Sequence, residues 1–412
     1  MYTLYAAACI TLYLIPYGYF KIYRWNSAYV LIIYRYAMHY GISLIANLIL
    51  EYGIYVTEQS RFTYFNYSSL LLVAFAWTEL FISRAGLRWA LHTKIWNNFR
   101  SERFWMFVAL FAMTILVANY ALSDKMYLSP TISKFNYLPN SRLYFIIKYF
   151  GNISSFIPVI CGYLYFMNRR RLFGLVFIIY VFYLLAAGHK MTSLATMTLL
   201  FILPYLILNY RTVFDIIWQN RFKLATAFVA LIGLNTLSYL YYNPYAGEHS
   251  LALMATFYRI AIHPHIWWGS VNELSNINYT SIYDLLYGMK TLMREVANTT
   301  TVMEYSGRYT FGYPSILVYL FPLSFAFMLN IPVVLYRGLM IGIAINGIRK
   351  GYIWPYVLAM QIVTWNRNIF SMADFYLLYS PKYILVIILL IVAIISPIAL
   401  TAHRKAEPGI IG

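Results

Sequence analysis

Hydrophobic residues in this chain come in long runs separated by short polar stretches. The runs cover approximately residues 2–20, 28–50, 66–83, 104–122, 144–167, 173–188, 192–209, 224–241, 314–335, 352–366 and 383–402. Each is near the roughly 20 residues that an α-helix needs to cross the hydrocarbon of a bilayer. The pattern predicts an all-α, polytopic membrane helix bundle of about eleven spans. It divides into an N-terminal bundle of about eight spans (residues 1–241), a large connection (242–313) and C-terminal transmembrane helices (314–412).

The polar stretches fall into two kinds. Alternate connections carry KIYR (21–24), RAGLRWALHTKIWNNFRSER (84–103), NRRR (168–171), RTVFDIIWQNRFK (211–223), the stretch from Tyr336 to Lys350, and HRK (403–405). Together they hold 18 of the 31 basic residues, with Glu102 and Asp215 as their acids. Loops rich in Lys and Arg stay on the cytoplasmic side, so the N-terminus is expected outside and the C-terminus inside. The first apolar run continues into a basic stop and lacks a basic stretch before it, which predicts a first helix rather than a cleavable signal peptide.

Among the outer connections, the one from Tyr242 to Tyr313 is about seventy residues long. Long ordered insertions of this kind usually serve a function. Within it, TSIYDLLYGMKTLMREVANTT (280–300) places Ile282, Leu285, Leu286, Met289, Leu292, Met293 and Val296 on a 3.6-residue period, with Thr280 or Ser281 as N-cap. This predicts a helix lying on the membrane surface or the bundle, with Lys290, Arg294 and Glu295 off its apolar face. A weaker amphipathic stretch covers 250–262 and presents Arg259.

Composition agrees with the runs. Of 412 residues, 62% are hydrophobic and 11% charged, against roughly 45 to 50% and about 25% in ordinary globular chains. The 43 tyrosines and 10 tryptophans suit rings held at headgroup level. The formal charge of +18 follows from the basic connections and calls for no nucleic acid. Cys9 and Cys161 fall inside apolar runs and are expected as buried thiols.

Candidate chemistry lies on the outer side. Lone cations stand at or near span ends there: Lys190, Arg259, Arg294, Arg308 and Arg367. Snorkelling to the interface accounts for any one of them. Five on one side with few acids point instead to an anionic ligand, and a guanidinium suits phosphate through its two parallel N–H donors. A lipid-linked pyrophosphate would need such partners as negative charge grows on it as a leaving group. Trp267, Trp268, Tyr305 and Tyr309 could stack sugar rings or anchor the loop at the interface.

In ATFYRIAIHPHIWWGS (255–270), His263 and His265 flank Pro264, which is expected to end the helix bearing Arg259. Two histidines at this spacing could bind a metal, but no HExxH, carboxylate triad or cysteine cluster supports one. Either imidazole could act as general base on a sugar hydroxyl, as could Glu273, Asp284, Glu295 or Glu304.

The chain as a whole resembles a known family. The features are a short first helix ending in KIYRWN, a glycine and cation at the outer edge of a mid-chain helix (GHKMTSLATMTLLFILP), a large outer loop opening with a helix-borne arginine, and a loop exit GYPSILVYLFP. This arrangement resembles the bacterial oligosaccharide repeat-unit polymerases, the Wzy-type O-antigen and capsule polymerases. The resemblance implies a metal-independent glycosyltransferase of the membrane-embedded GT-C kind, needing no cofactor, in the bacterial inner membrane. It would transfer a growing glycan from undecaprenyl pyrophosphate to a lipid-linked repeat unit on the periplasmic face. A membrane chain-length regulator is an implied partner. Lys190 then matches a position where relatives carry arginine after glycine, keeping the charge but losing the two-pronged fork, and Arg259 matches the arginine early in the loop. Both would bind the donor pyrophosphate; Arg294, Arg308 and Arg367 join them on charge and side alone. His263 or His265 would position or deprotonate the acceptor hydroxyl.

Three rival readings share parts of this pattern. An O-antigen ligase would use the same donor with a different acceptor. A flippase or other transporter of lipid-linked oligosaccharide would need charges deep within spans, where the runs show Arg35 and Lys148. A membrane O-acyltransferase would need a catalytic histidine reached from inside.

Overall fold

The computed structural model describes residues 2–19, 24–42, 44, 65–93, 102–122, 143, 146, 155–186, 191–242, 313–314, 317–318, 321–372 and 375–395. Among these the chain is all α, with no strand pairing beyond one isolated bridge between Asn26 and Thr212. The helices are α1 (Tyr2–Tyr19), α2 (Val30–Arg35), α3 (Phe65–His92), α4 (Glu102–Ala121), α5 (Phe156–Phe166), α6 (Leu172–Ala186), α7 (Met191–Asn209), α8 (Val213–Gln219), α9 (Arg221–Tyr242), α10 (Leu323–Lys350), α11 (Ile353–Met372) and α12 (Pro381–Ile395). A π-helix, Tyr36–Gly41, continues α2.

Three of these, Leu70–His92 within α3, α4 and α10, are long and apolar enough to cross a membrane. Large apolar side chains such as Phe107, Phe182, Phe222, Val229 and Ile395 face outward. In water they would form patches of a kind that soluble monomers rarely expose, whereas lipid tails match them. The protein therefore has the character of a helical membrane protein.

The helices correct the expected boundaries in four places. The run 66–83 is part of a helix that continues through Arg84 and Arg88 to His92, because Arg84 lays its guanidinium over the Trp25 ring at 4.5 Å instead of breaking into water. The run 314–335 and the basic stretch from Tyr336 to Lys350 are not a span and a loop. The helix begins after Pro322 and runs unbroken from Leu323 to Lys350, so Arg337 lies inside it. The weak run 352–366 is the full helix α11, extending to Met372. The stretch 211–223 is no plain loop, since Thr212 and Asp215 form a capping box that starts α8.

One end of the bundle collects the basic connections. Ser27 N–H donates to Arg211 O and Val213 N–H to Trp25 O. Arg349 donates to Asn26 Oδ1 at 2.7 Å, and Asn346 caps the end of α3 through Ala90 O and Thr93 O. Gly351, at φ 71°, closes α10 and turns the chain into α11; a side chain is disfavoured in that conformation.

At the centre, α3 and α10 run parallel in close contact. A Cβ added to Gly338 would sit 2.1 Å from Ser83 O, one on Gly86 2.4 Å from Leu335 O, and one on Gly342 2.5 Å from the Ala90 Cβ. In lipid there is no hydrophobic gain from joining two apolar helices, so small residues that let backbones touch supply the attraction through dispersion. Cys9 and Cys161 are buried free thiols, as expected.

Candidate functional site

The close approach of α3 and α10 brings together two charged residues that stand midway along apolar helices. Arg337 Nη1 donates to both carboxylate oxygens of Glu79 at 2.6 Å each, and Arg35 Nε, from the end of α2, lies 3.0 Å from Glu79 Oε1. Glu79 and Arg337 are 1% and 2% exposed. Glu79 precedes His92, and Arg337 precedes Lys350, by thirteen residues each. At about 1.5 Å per residue both therefore lie ~20 Å from the basic end, within a hydrocarbon layer about 30 Å thick. A carboxylate at this depth is tolerable because two guanidiniums face it.

The π-helix adds His39 and Tyr40. Such one-turn expansions recur at functional sites because they redirect side chains. Here the segment is held by α1: Tyr13 and Tyr36 stack at 4.5 Å, and each hydroxyl donates to the other's backbone carbonyl. His39 Nε2–H donates to the Tyr313 carbonyl. Tyr40 is fully buried, its ring 5.1 Å from that of His39 and within electrostatic reach of Glu79, Arg35, Tyr313 and Arg337.

Tyr313 comes from the exit of the large connection and is also fully buried. Its hydroxyl donates to Asn330 Oδ1, and the Arg337 guanidinium lies 5.1 Å from its ring centre. Irregular backbone at this depth requires burial within protein, and the bundle provides it. Residues 313–314 are thus a turn packed into the charged cluster, where a span was expected to begin.

Several donors in the cluster lack partners among the described residues: Arg337 Nε and Nη2, the Tyr40 hydroxyl and Asn330 Nδ2. With one carboxylate against two guanidiniums, the described cluster carries a net positive charge.

The residues singled out from the sequence lie mostly elsewhere. Lys190, Arg259, His263, His265, Trp267, Trp268, Arg294 and Arg308 are outside the described residues, as are the stretches 250–262 and 280–300, the acids Glu273, Asp284, Glu295 and Glu304, and Tyr305 and Tyr309. Arg367 falls within α11, five residues before its end. Glu79, Arg337, His39, Tyr40 and Tyr313 were not singled out. Their signal was present: an acid inside YSSLLLVAFAWTELFIS and an arginine inside VVLYRGLMIG are the two halves of a pair, since ionisable residues inside spans rarely stand alone.

A family of unknown function (DUF6418) matches residues 283–387. The match holds Tyr313, Asn330 and Arg337 and leaves out Glu79, Arg35 and His39. No curated protein and no solved structure matches the chain.

Proposed function

We propose that the protein is a membrane glycosyltransferase of the polysaccharide-polymerase kind, built as a GT-C-like bundle of about eleven spans in the bacterial inner membrane. It joins lipid-linked oligosaccharide repeat units at the outer face and releases undecaprenyl pyrophosphate. What supports the reading is the direction of the helices. The helix α9 leads away from the basic end into the segment 243–312, and α10 leads back toward that end. Likewise α6 runs away from the basic end and α7 returns to it, flanking residue 190, and α11 rises from it with Arg367 in its far half. On this reading the candidate cations serve connections or helix halves remote from the basic end, which the positive-inside rule assigns to the cytoplasm. There Arg259 and Lys190 would bind the leaving pyrophosphate and His263 or His265 would serve the acceptor hydroxyl.

One observation favours a second reading, a transporter of lipid-linked oligosaccharide. Glu79, Arg35 and Arg337 are charges deep inside the bundle, as substrate pathways require. Incubating purified protein with lipid-linked repeat units, beside an Arg259→Ala variant, separates the two. A glycan ladder from wild type that disappears in the variant supports polymerisation with Arg259 taking part. No ladder, with repeat units crossing a liposome bilayer, overturns it in favour of transport.

A further inference from the structure

Between α7 and α9 the chain forms a short helix instead of a plain loop. Thr212 and Asp215 cap each other to start α8, and Val213 and Ile216 are its buried residues. The rest of its apolar side chains are exposed: Phe214 41%, Ile217 42% and Trp218 58%, with Phe222 at the start of α9 at 74%. Phe214 and Trp218 stack at 5.8 Å, and the Arg221 guanidinium lies 4.4 Å from the centre of the Trp218 ring. Tyr205 and Leu208 on α7, and Leu224, Phe228 and Val229 on α9, also face outward. Apolar exposed side chains therefore stand on α8 and on both helices that it joins, a surface poorly suited to water.

The polar groups beside these rings are basic. Arg211, Arg221 and Lys223 are exposed, while the acid of this stretch, Asp215, has its carboxylate turned back to accept from Thr212 N–H. Backbone bonds from Ser27 to Arg211 and from Val213 to Trp25 set the segment 25–27 beside the start of α8, and Arg349 reaches Asn26 there. Arg24, Arg349 and Lys350 are exposed as well. We infer that α8 lies along the headgroup layer on the basic side of the membrane and binds anionic phospholipid, its rings among the upper acyl carbons and Arg211, Arg221 and Lys223 on the phosphates. A helix with an apolar face and cations at its margin is held in this way by apolar burial together with attraction to anionic lipid. Lipid supplies both contacts at the level where α7 ends and α9 begins. The inference stands apart from the polymerase reading, because it concerns the basic end and uses none of that reading's residues.

The test uses full-length protein in nanodiscs of phosphatidylcholine, alone or mixed with phosphatidylglycerol. Amide hydrogen exchange is followed over 211–223, and the lipid retained after extraction into neutral detergent is counted by native mass spectrometry. Phosphatidylglycerol is expected to slow exchange across α8 and to be retained in preference to phosphatidylcholine. Arg221→Gln should weaken that preference about fivefold, the worth of one cation near an anionic surface, and Arg221→Lys should keep it. Arg211→Gln, Arg221→Gln and Lys223→Gln together should abolish it. The helix should persist in this triple variant, with its exchange in phosphatidylcholine unchanged, because the Thr212 cap is untouched. Equal exchange across α8 in both lipids, a preference that survives the triple substitution, or an Arg221→Lys variant as weak as Arg221→Gln overturns the inference. So does protection of α8 that follows protein concentration instead of lipid composition, the result that a second copy seated on the rings would give.

Discussion

Arg337 and Arg349 belong to the same helix, twelve residues apart, and do opposite things. Arg349 stands at the basic end, exposed, and donates one hydrogen bond to Asn26. Arg337 is buried against Glu79, between backbones that touch through Gly338 and Gly86. The lesson is that an arginine between apolar stretches marks a membrane boundary only when nothing inside the bundle can pair with it. Glu79 turns what would be a loop residue into the middle of a span.

The sharpest way to break this contrast is Glu79→Gln. It leaves the buried Arg337 guanidinium without its carboxylate and should cost about 3 to 5 kcal/mol, the usual penalty for removing one partner of a buried pair. The expected readout is a large fall in monodisperse protein on size exclusion and in melting temperature. Next in size, Gly338→Ala drives a methyl into Ser83 O and should destabilise by about 1 to 3 kcal/mol, read as a lower melting temperature with the cluster chemically intact. Removing the cap of α8 by Thr212→Ala should cost about 1 kcal/mol. That loss would appear first as faster proteolysis near 212–220 rather than as global unfolding. Smallest of all, Arg349→Ala should change the melting temperature little, since exposed polar pairs contribute about 0 to 1 kcal/mol. If Arg349→Ala proved as damaging as Glu79→Gln, the contrast between the two arginines would be lost.

How far the sequence could be read follows the same physics. Helix existence was legible from run length, because lipid demands about 20 apolar residues of every span; α1, α4, α6, α7 and α9 fall within a few residues of their expected places. The boundaries that failed share one cause. The ends assigned near Arg84 and Arg337 were set by charge, and in the folded chain each charge has a partner from a distant segment, Trp25 for one and Glu79 for the other. The α8 cap was missed because Asp215 was read only as an acid among cations, though Thr212 three residues before it is the start signal of a helix. Of the central cluster, Arg35 was read as a deep charge, and Glu79 and Arg337 were legible as ionisable residues inside apolar runs though not singled out. Tyr40, Asn330 and Tyr313 are common residue types whose importance depends on where their polar atoms end up.

The sequence alone determined that this is an all-helical protein for an apolar solvent, with its cations concentrated in alternate connections. Those properties are local, set by run length and by the cost of moving a basic loop across a membrane. Only the tertiary structure decided which charges leave the connections and pair inside the bundle. Glu79 and Arg337 are 258 residues apart, and no local pattern encodes the approach of two backbones at Gly86 and Gly338 that lets one carboxylate meet two guanidiniums.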